Sequence, residues 1–127
     1  MSPRTWIILG AIFGALAVGT GAFGAHGLKD RLAASGRGEV YETAARYQMY
    51  HALALVLVGL LALHSSSVCL NVAGACFVAG ILVFSGLLYA LALGGPKILG
   101  AIVPLGGTAF IAGWVALAVA GLMLTKK

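Results

Sequence analysis

The side chains of this chain that are capable of chemistry are a few histidines, tyrosines and bases in otherwise apolar sequence. Tyr47 and His51 are four residues apart, so on a helix they share a face, with Tyr50 beside them. Imidazole and phenol groups can move protons, bind a solute or, in the case of histidine, ligate a metal or haem. The sequence predicts a polar cluster at one end of the molecule, comprising His26, Lys29, Arg46, Tyr47, Tyr50, His51, Ser85 and Tyr89.

The sequence leaves two interpretations of His51 open. A histidine inside a membrane span is a functional-site hypothesis, because ionisable groups are costly in lipid. A neutral imidazole costs less, and it could instead bond across helices to Tyr89, Ser85 or Thr20 in a structural role. His26 is interpreted as an interfacial residue near a helix end.

Helix-disrupting residues late in the chain form a second candidate feature. Pro104 lacks a backbone N–H, and Gly106 and Gly107 loosen the chain just after it. The apolar stretch around them is too long for one untilted span, so a helix break or a kink is expected there. A broken membrane helix lines solute sites, whereas a kink covered by neighbouring helices is only structural.

The composition places these residues in a membrane protein. Of the 127 residues, 61% are hydrophobic and 9% are charged, whereas soluble domains carry about 25% charged residues. A soluble domain of this size could not bury so much apolar surface. The net charge of +5 does not indicate nucleic-acid binding, because the bases lie at the ends of apolar stretches, where they contact lipid head groups.

Four apolar stretches predict helical spans at about residues 6–25, 45–63, 69–93 and 98–124. Each approaches or exceeds the ~20 residues that cross a bilayer, and helices satisfy their own backbone hydrogen bonds in lipid. In the charged segment between the first two spans, Leu28 and Leu32 share one helical face, which indicates a short helix on the membrane surface. The predicted fold class is all-α: one polytopic membrane domain, a four-transmembrane-helix bundle with a short interfacial helix between helices 1 and 2.

Short connections at residues 64–67 and 94–97 make the last three spans antiparallel neighbours. Helix 2 is expected to begin near Glu39, outside the hydrocarbon, and to carry an i,i+4 ion pair between Glu42 and Arg46. Trp6 and Tyr41 fit an aromatic belt at the interfaces, whereas Trp114 is interpreted as packing. Folding the hairpins predicts three cross-helix pairs: His51 with Gly80, Tyr47 with Phe84 and Ser85, and Ser85 with Gly106.

Small residues recur at helical spacing and predict close helix packing, because they let backbones approach in lipid. Packing within the monomer and a homo-oligomer interface both fit this pattern. The small residues are Gly10 with Gly14, then Ala11, Ala15 and Gly19, and in the last span Thr108, Ala112, Ala116 and Ala120.

Charge predicts the orientation only weakly. The first stretch is expected to stay as a span, because it is long for a signal peptide and lacks a clean cleavage site. Four spans put both termini on one side of the membrane. Five bases lie at loops 1 and 3 and three lie at the termini, so the excess of bases favours loops 1 and 3 in the cytoplasm. The terminal bases are Arg4, Lys126 and Lys127, and the loop bases are Lys29, Arg31, Arg37, Arg46 and Lys97.

Four motifs, in order, carry a resemblance that runs from about Trp6 to Trp114. They are GAFGAHGL from Gly21, Y-x-TA-x-x-YQ-x-YHALA from Tyr41, FSG-x-x-Y from Phe84 and PLGG from Pro104. The chain resembles the YgdD-like family of small uncharacterised bacterial inner-membrane proteins, a domain of unknown function with a small relative in animal mitochondria. The resemblance implies a four-helix fold in the bacterial inner (plasma) membrane. It assigns no activity, and it implies that six residues of the cluster belong to the family's characteristic motifs: His26, Tyr47, Tyr50, His51, Ser85 and Tyr89.

The sequence contains no catalytic motif, nucleotide loop or dense metal-ligand cluster, so no cofactor and no metal are expected. The leading hypothesis is a non-enzymatic membrane component that contacts lipids, either an accessory or assembly subunit of a larger complex or a self-associating homo-oligomer. A transporter or channel for protons, ions or a small solute is an alternative, motivated by Arg46, Tyr50 and His51. A lipid, quinone or haem site is another, because bases near the interface suit head groups and two histidines suit haem. An enzyme is disfavoured, because all three acids are predicted outside the membrane.

Overall fold

The computed structural model describes residues 1–124 and places them in a helical bundle. Helices α4 and α5 are joined by a π-helical turn into one rod from Val68 to Ala92, so the bundle has four long helices of 23 to 25 residues. These helices are long and apolar enough to cross a membrane. The helices are α1 (Pro3–Ala25), α2 (Lys29–Ser35), α3 (Gly38–Ala62), α4 (Val68–Gly80), α5 (Gly86–Ala92) and α6 (Leu99–Leu122), and the π turn is Ile81–Ser85.

The predicted all-α fold class and its four spans are confirmed. Helix α3 begins at Gly38, next to the predicted start near Glu39, so its polar first turns precede the apolar stretch predicted from about residue 45. The predicted ion pair between Glu42 and Arg46 lies on those turns. The short helix predicted between the first two spans is α2. Lys126 and Lys127, on which the orientation partly rested, lie outside the described residues.

Local chemistry fixes where the helices begin and end. The Ser2 hydroxyl caps α1, and Pro3 occupies its first position, where no intrahelical N–H is needed. The Ser67 side chain caps α4 in the same way. Gly36 ends α2 at a φ of 66°, and Gly94 turns the chain after α5 at a φ of 102°. These left-handed conformations suit glycine because it has no Cβ.

The bundle packs as a sequence of neighbouring helices. Helix α1 lies along α3, α3 packs on the α4–α5 rod, and that rod packs on α6, while α3 and α6 stay apart along most of their length. Gly10 and Gly59 let α1 and α3 touch, since a Cβ on Gly10 would lie 2.7 Å from the Ala52 carbonyl oxygen. The core is formed by Trp6, Leu55, Val58, Leu70, Ala73 and Phe77.

Most of the outer surface of the long helices is apolar. Large side chains such as Ile12, Leu16, Leu57 and Ile111 are exposed. Exposed apolar surface on this scale is unfavourable in water, so it indicates that lipid surrounds the bundle.

The aromatic belt predicted from Trp6 and Tyr41 is wrong. Trp6 is 1% exposed, packs its ring against Gly74 and donates a 3.1 Å hydrogen bond to Asn71 Oδ1. Tyr41 is also buried, and its hydroxyl donates to the Thr20 carbonyl at 2.9 Å. Both rings hold helices together instead of facing head groups.

Of the two alternatives at Pro104, a break or a kink, the helix break is wrong. Helix α6 runs through Pro104 without interruption, because the proline lies in the second turn and removes only the bond to the carbonyl of Gly100. Gly106 serves a different purpose: a Cβ there would lie 2.8 Å from the Phe84 Cα, so its absence lets α6 approach the π turn. The irregular helix is therefore the third span, not the fourth.

The two predicted stripes of small residues differ in their surroundings. Ala11, Ala15 and Gly19 lie on an exposed face of α1, and no atom lies within 4 Å of a Cβ built on Gly19. The α6 stripe instead runs from exposed positions into the core, through Thr108, Ala112, Ala116 and Ala120. Of these two stripes, the α1 stripe is exposed along its whole length, whereas the α6 stripe is exposed only at Thr108 and Ala112.

Candidate functional site

A groove rich in aromatic rings runs between α3 and α6, whose backbones stay apart and are bridged by side chains. Its volume is about 660 Å³, which is within the range of small-molecule sites. On the α6 side, Pro104, Gly107 and Thr108 have small side chains, and aromatic rings from both helices form most of the remaining lining. This aromatic groove is lined by Tyr47, Tyr50, His51, Pro104, Gly107, Thr108, Phe110, Ile111 and Trp114.

The imidazole of His51 lies at the base of the aromatic groove and is 4% exposed. Its Nδ1 lies 2.7 Å from the Tyr47 carbonyl oxygen, and its Nε2 lies 3.1 Å from the Trp114 indole nitrogen, an obligatory donor. A carbonyl can only accept, so this network assigns the proton to Nδ1 and leaves Nε2 as the acceptor. The ring is therefore neutral, and both nitrogens are engaged.

Aromatic packing fixes the His51 ring in place. It stacks on Phe110 with the ring centroids 3.4 Å apart, and Phe77 lies 5.6 Å away. Trp114 packs edge-on against the same Phe77 at 5.2 Å. At the end of the groove nearer the start of α3, Tyr47 contacts Phe84 with centroids 4.8 Å apart, as the hairpin pairing predicted.

The hydrogen-bond partners predicted for His51 are wrong, and its true partner Trp114 was missed. Thr20 and Tyr89 bond to each other at 2.8 Å, on the other side of α3 from the groove. Trp114 packs as expected, but it also donates to His51. The predicted hairpin pairing could have indicated this contact. It sets His51 across from Gly80. Pairing Ser85 with Gly106 in turn sets Gly80 near Ile111, which lies within one turn of Trp114.

A second polar network joins α1, α3 and α5. The Tyr89 hydroxyl donates to Gln48 Oε1 at 2.9 Å, and the Gln48 amide donates to the Phe13 carbonyl at 2.9 Å. The Thr20 hydroxyl bonds to the Tyr89 hydroxyl, and the Tyr41 ring meets the Tyr89 ring edge-on at 5.0 Å. Interhelical bonds of this kind each contribute about 0.6 kcal/mol in a membrane, so the network has a structural role.

Ser85 belongs neither to the contacts around His51 nor to the second polar network. It ends the π turn, is fully buried, and its hydroxyl has no hydrogen-bond partner within residues 1–124. The turn itself forms because the Gly86 N–H bonds to the Ile81 carbonyl, one residue further back than in an α-helix.

Charged residues surround the end of the bundle where α3 begins. The Arg31 guanidinium donates to the Leu93 carbonyl at 2.9 Å, and Arg37 donates to the Leu91 carbonyl. These two bases therefore cap the carboxyl end of α5, where cations are favoured by the helix dipole. His26 is exposed at the end of α1.

A second groove opens at this charged end, between α1, α2 and the first half of α3. Its volume is about 660 Å³. Two bases and one acid lie around small and apolar side chains. This interfacial groove is lined by Gly21, Gly24, Ala25, Lys29, Leu32, Ala33, Gly38, Tyr41, Glu42, Ala45, Arg46 and Met49.

The predicted polar cluster is thus divided by the fold. Its members lie towards one end of the bundle, but α3 separates them into different surroundings. Within residues 1–124, no group of three histidine, cysteine or acidic side chains is placed to hold a metal ion. The aromatic groove receives Tyr47, Tyr50 and His51, the interfacial groove receives Lys29 and Arg46, Tyr89 joins the second network, and Ser85 and His26 belong to neither groove.

Comparison with known proteins finds relatives of similar length in bacteria. A UPF0382 membrane protein of Staphylococcus epidermidis (strain ATCC 12228) is 50% identical over 94% of this chain and 96% of its own length. The UPF0382 membrane protein YwdK of Bacillus subtilis is 48% identical over 92% of this chain and 95% of its own. No solved structure matches the chain.

The family comparison agrees with these relatives. The model of the family described as "Protein of unknown function (DUF423)" matches residues 20–107, which hold most of both grooves and the π turn. No activity is assigned to that family, and its relatives are named as membrane proteins. With four apolar helices and relatives at this identity, the chain belongs to DUF423, a family of membrane proteins of unknown function.

Proposed function

We propose that this protein is a non-enzymatic membrane component that binds a lipid-class molecule with a planar ring head, of the quinone type, in the aromatic groove. The observation that carries the proposal is the groove itself: it is open to the side of the bundle and walled by aromatic rings around a fixed imidazole. Membrane-embedded ligands reach such a groove from the bilayer, without passing through water.

The chemistry of the groove supports binding rather than catalysis. His51 is buried with both ring nitrogens engaged, so it has neither a free proton acceptor nor a free ligand atom. The same engagement argues against haem ligation and against a proton relay through this ring. The remaining polar groups that line the groove are two phenols and the Thr108 hydroxyl, which already donates to the Pro104 carbonyl.

A ring-bearing lipid matches the groove better than a plain acyl chain does. Aromatic faces stack favourably on planar π systems, and the exposed rings of Tyr47, Tyr50 and Trp114 supply them. Tyr47 and Tyr50 are exposed, with ring centroids 5.9 Å apart, and their hydroxyls can donate to carbonyl oxygens. Tyr47 directly follows Arg46 and Tyr50 lies about one turn further along α3, near the level at which polar lipid heads meet hydrocarbon.

Tryptophan fluorescence tests this proposal, because the chain has two tryptophans in opposite surroundings. Trp114 is 45% exposed in the aromatic groove, whereas Trp6 is buried against α4. We expect a benzoquinone with a decyl tail, added to Trp6→Phe protein in phosphatidylcholine nanodiscs, to quench Trp114 with a saturable dependence on concentration. Tyr50→Phe in the same background removes one hydrogen-bond donor and is expected to raise the half-quenching concentration about five- to tenfold.

The matched control is Trp114→Phe, in which Trp6 is the reporter and quenching is expected to be weak and linear. Linear quenching of both tryptophans would mean that the quinone only partitions into the bilayer. Saturable quenching by brominated phosphatidylcholine, unaffected by added quinone, would instead identify an acyl chain as the occupant. Either result would remove the quinone proposal.

Self-association is a second candidate, and the exposed α1 stripe favours it. Ala11, Ala15 and Gly19 offer an uncovered small-residue face of the type through which membrane helices pair. We expect light scattering in mild detergent to give a dimer mass for the native chain and a monomer mass for Ala15→Ile. Ala118→Ile, at an exposed alanine of α6, should leave the dimer intact. A native chain that is monomeric in several detergents and in nanodiscs would exclude this candidate.

The cellular location that we propose is the bacterial cytoplasmic (inner) membrane, crossed four times. The relatives found in Staphylococcus and Bacillus carry membrane-protein names, and the motifs quoted above resemble the YgdD-like inner-membrane family. The charge difference between the two ends supports a cytoplasmic position for the α1–α3 and α5–α6 connections.

A further inference from the structure

The interfacial groove runs along one side of the contact between α1 and α3. The Tyr41 hydroxyl donates to the Thr20 carbonyl across this contact, and a Cβ on Gly24 would meet the Tyr41 ring. Beside these contacts, no atom lies within 4 Å of a Cβ built on Gly21. Gly21 and Ala45 therefore leave a slot along the edge of the helix pair.

Helix α2 closes the outer end of this slot. Leu32 is buried against Tyr41 and Ala92, which fixes the rotation of the short helix. Lys29 and Ala33, four residues apart, are consequently turned towards the groove. The slot thus has a charged outer end and an apolar inner end at Met49.

The charged side chains that line the groove, Lys29, Arg46 and Glu42, leave an excess of one positive charge. Arg46 pairs with Glu42, whereas Lys29 forms no ion pair within residues 1–124. Arg46 lies eight residues into α3, roughly 12 Å from the start of the helix, where a long basic side chain reaches lipid head groups. Glu39 and Asp30 are near, but neither lines the groove.

We propose that the interfacial groove binds an anionic phospholipid. Its phosphate lies against Lys29, with Arg46 as the second cation, and one acyl chain follows the slot past Gly21 and Ala45 to Met49. The excess of positive charge favours an anionic head group over a neutral one. Because Gly21 and Ala45 are small, the slot between them has room for an acyl chain. This site is distinct from the aromatic groove and does not depend on its occupant.

Lipid retention measured by native mass spectrometry tests this proposal. Protein is reconstituted with equal amounts of phosphatidylglycerol and phosphatidylcholine, extracted in mild detergent, and examined for bound lipid. We expect phosphatidylglycerol to be retained, and Lys29→Gln to reduce its retention about fivefold. Lys97→Gln removes the same charge at the same end of the bundle, outside the groove, and should retain the lipid fully.

A second pair of variants tests the slot without changing charge. Gly21→Leu fills the slot from a position with open space and is expected to abolish retention while the protein still folds. Gly121→Leu makes the same substitution into open space at the other end of the bundle and should have no effect. Soluble glycerol phosphate is not expected to compete, because it lacks the chain.

Three results would overturn the proposal. They are equal retention of the two lipids by the native chain, equal losses in Lys29→Gln and Lys97→Gln, and full retention in Gly21→Leu. Saturable quenching of Trp114 by quinone should persist in Gly21→Leu, so failure of this site and failure of the aromatic groove can be told apart.

Discussion

Replacing Gly106 with alanine is expected to destabilise the bundle by about 1–3 kcal/mol. The new methyl group would lie 2.8 Å from the Phe84 Cα and equally close to its Cβ, so a backbone rather than a flexible side chain must move. Helix α6 would be pushed away from the π turn, and the contact that positions Phe110 and Trp114 would be lost with it. Reversible unfolding in mixed micelles, with increasing dodecyl sulfate, measures the change in unfolding free energy.

The neighbouring glycine provides a matched control for this prediction. A Cβ on Gly107 would lie 3.7 Å from the Phe84 ring, which is ordinary contact. Because alanine is favoured over glycine within a helix by about 1 kcal/mol, Gly107→Ala should be neutral or slightly stabilising. Equal stability of Gly106→Ala and Gly107→Ala would show that α6 and the π turn are not in close contact.

Replacing His51 with alanine is expected to cost about 2–4 kcal/mol. The ring is buried between Phe77 and Phe110, so its removal leaves a cavity among aromatic side chains. It also removes the acceptor of the Trp114 indole N–H. The same unfolding measurement reports the loss, and the emission maximum of Trp114 in the Trp6→Phe background should shift as the indole loses its partner.

Two further variants separate the hydrogen bond from the packing. Combining His51→Ala with Trp114→Phe in a double-mutant cycle should give a coupling energy of about 0.6 kcal/mol, with ~1.7 kcal/mol as an upper bound. His64→Ala, at an exposed histidine just after α3, should change stability by less than ~0.5 kcal/mol. A His51→Ala protein as stable as His64→Ala would contradict the buried, engaged imidazole.

Close glycine contacts and ring stacking, rather than long polar networks, dominate these two predictions. In lipid no hydrophobic force drives helices together, so close packing supplies much of the association energy. Both proposed sites occur where close packing ends: between the backbones of α3 and α6, and beside the α1–α3 contact at Gly21. We therefore propose these two places as the sites at which lipid-class molecules bind.

Several features of the fold and the site were predictable from the sequence. The lengths of the apolar stretches gave the four spans, since only a helix satisfies its own backbone inside a bilayer. The pattern of Leu28 and Leu32 gave α2, and the i,i+4 spacing gave the pair of Glu42 and Arg46. The short turns gave the register that sets Tyr47 against Phe84 and the π turn against Gly106.

The tertiary structure alone decided which side chains meet. The long helices are apolar on nearly all sides, so the sequence does not specify how each one is rotated about its axis, and rotation selects the partners. Trp6 was therefore turned inwards to Asn71, and Arg31 and Arg37 were turned to the end of α5. The same rotation placed some polar residues in one groove and some in the other, and it made Trp114, not Tyr89, the hydrogen-bond partner of His51. The π turn lies where the Phe84 backbone packs on Gly106, a contact between helices that no local pattern of residues encodes.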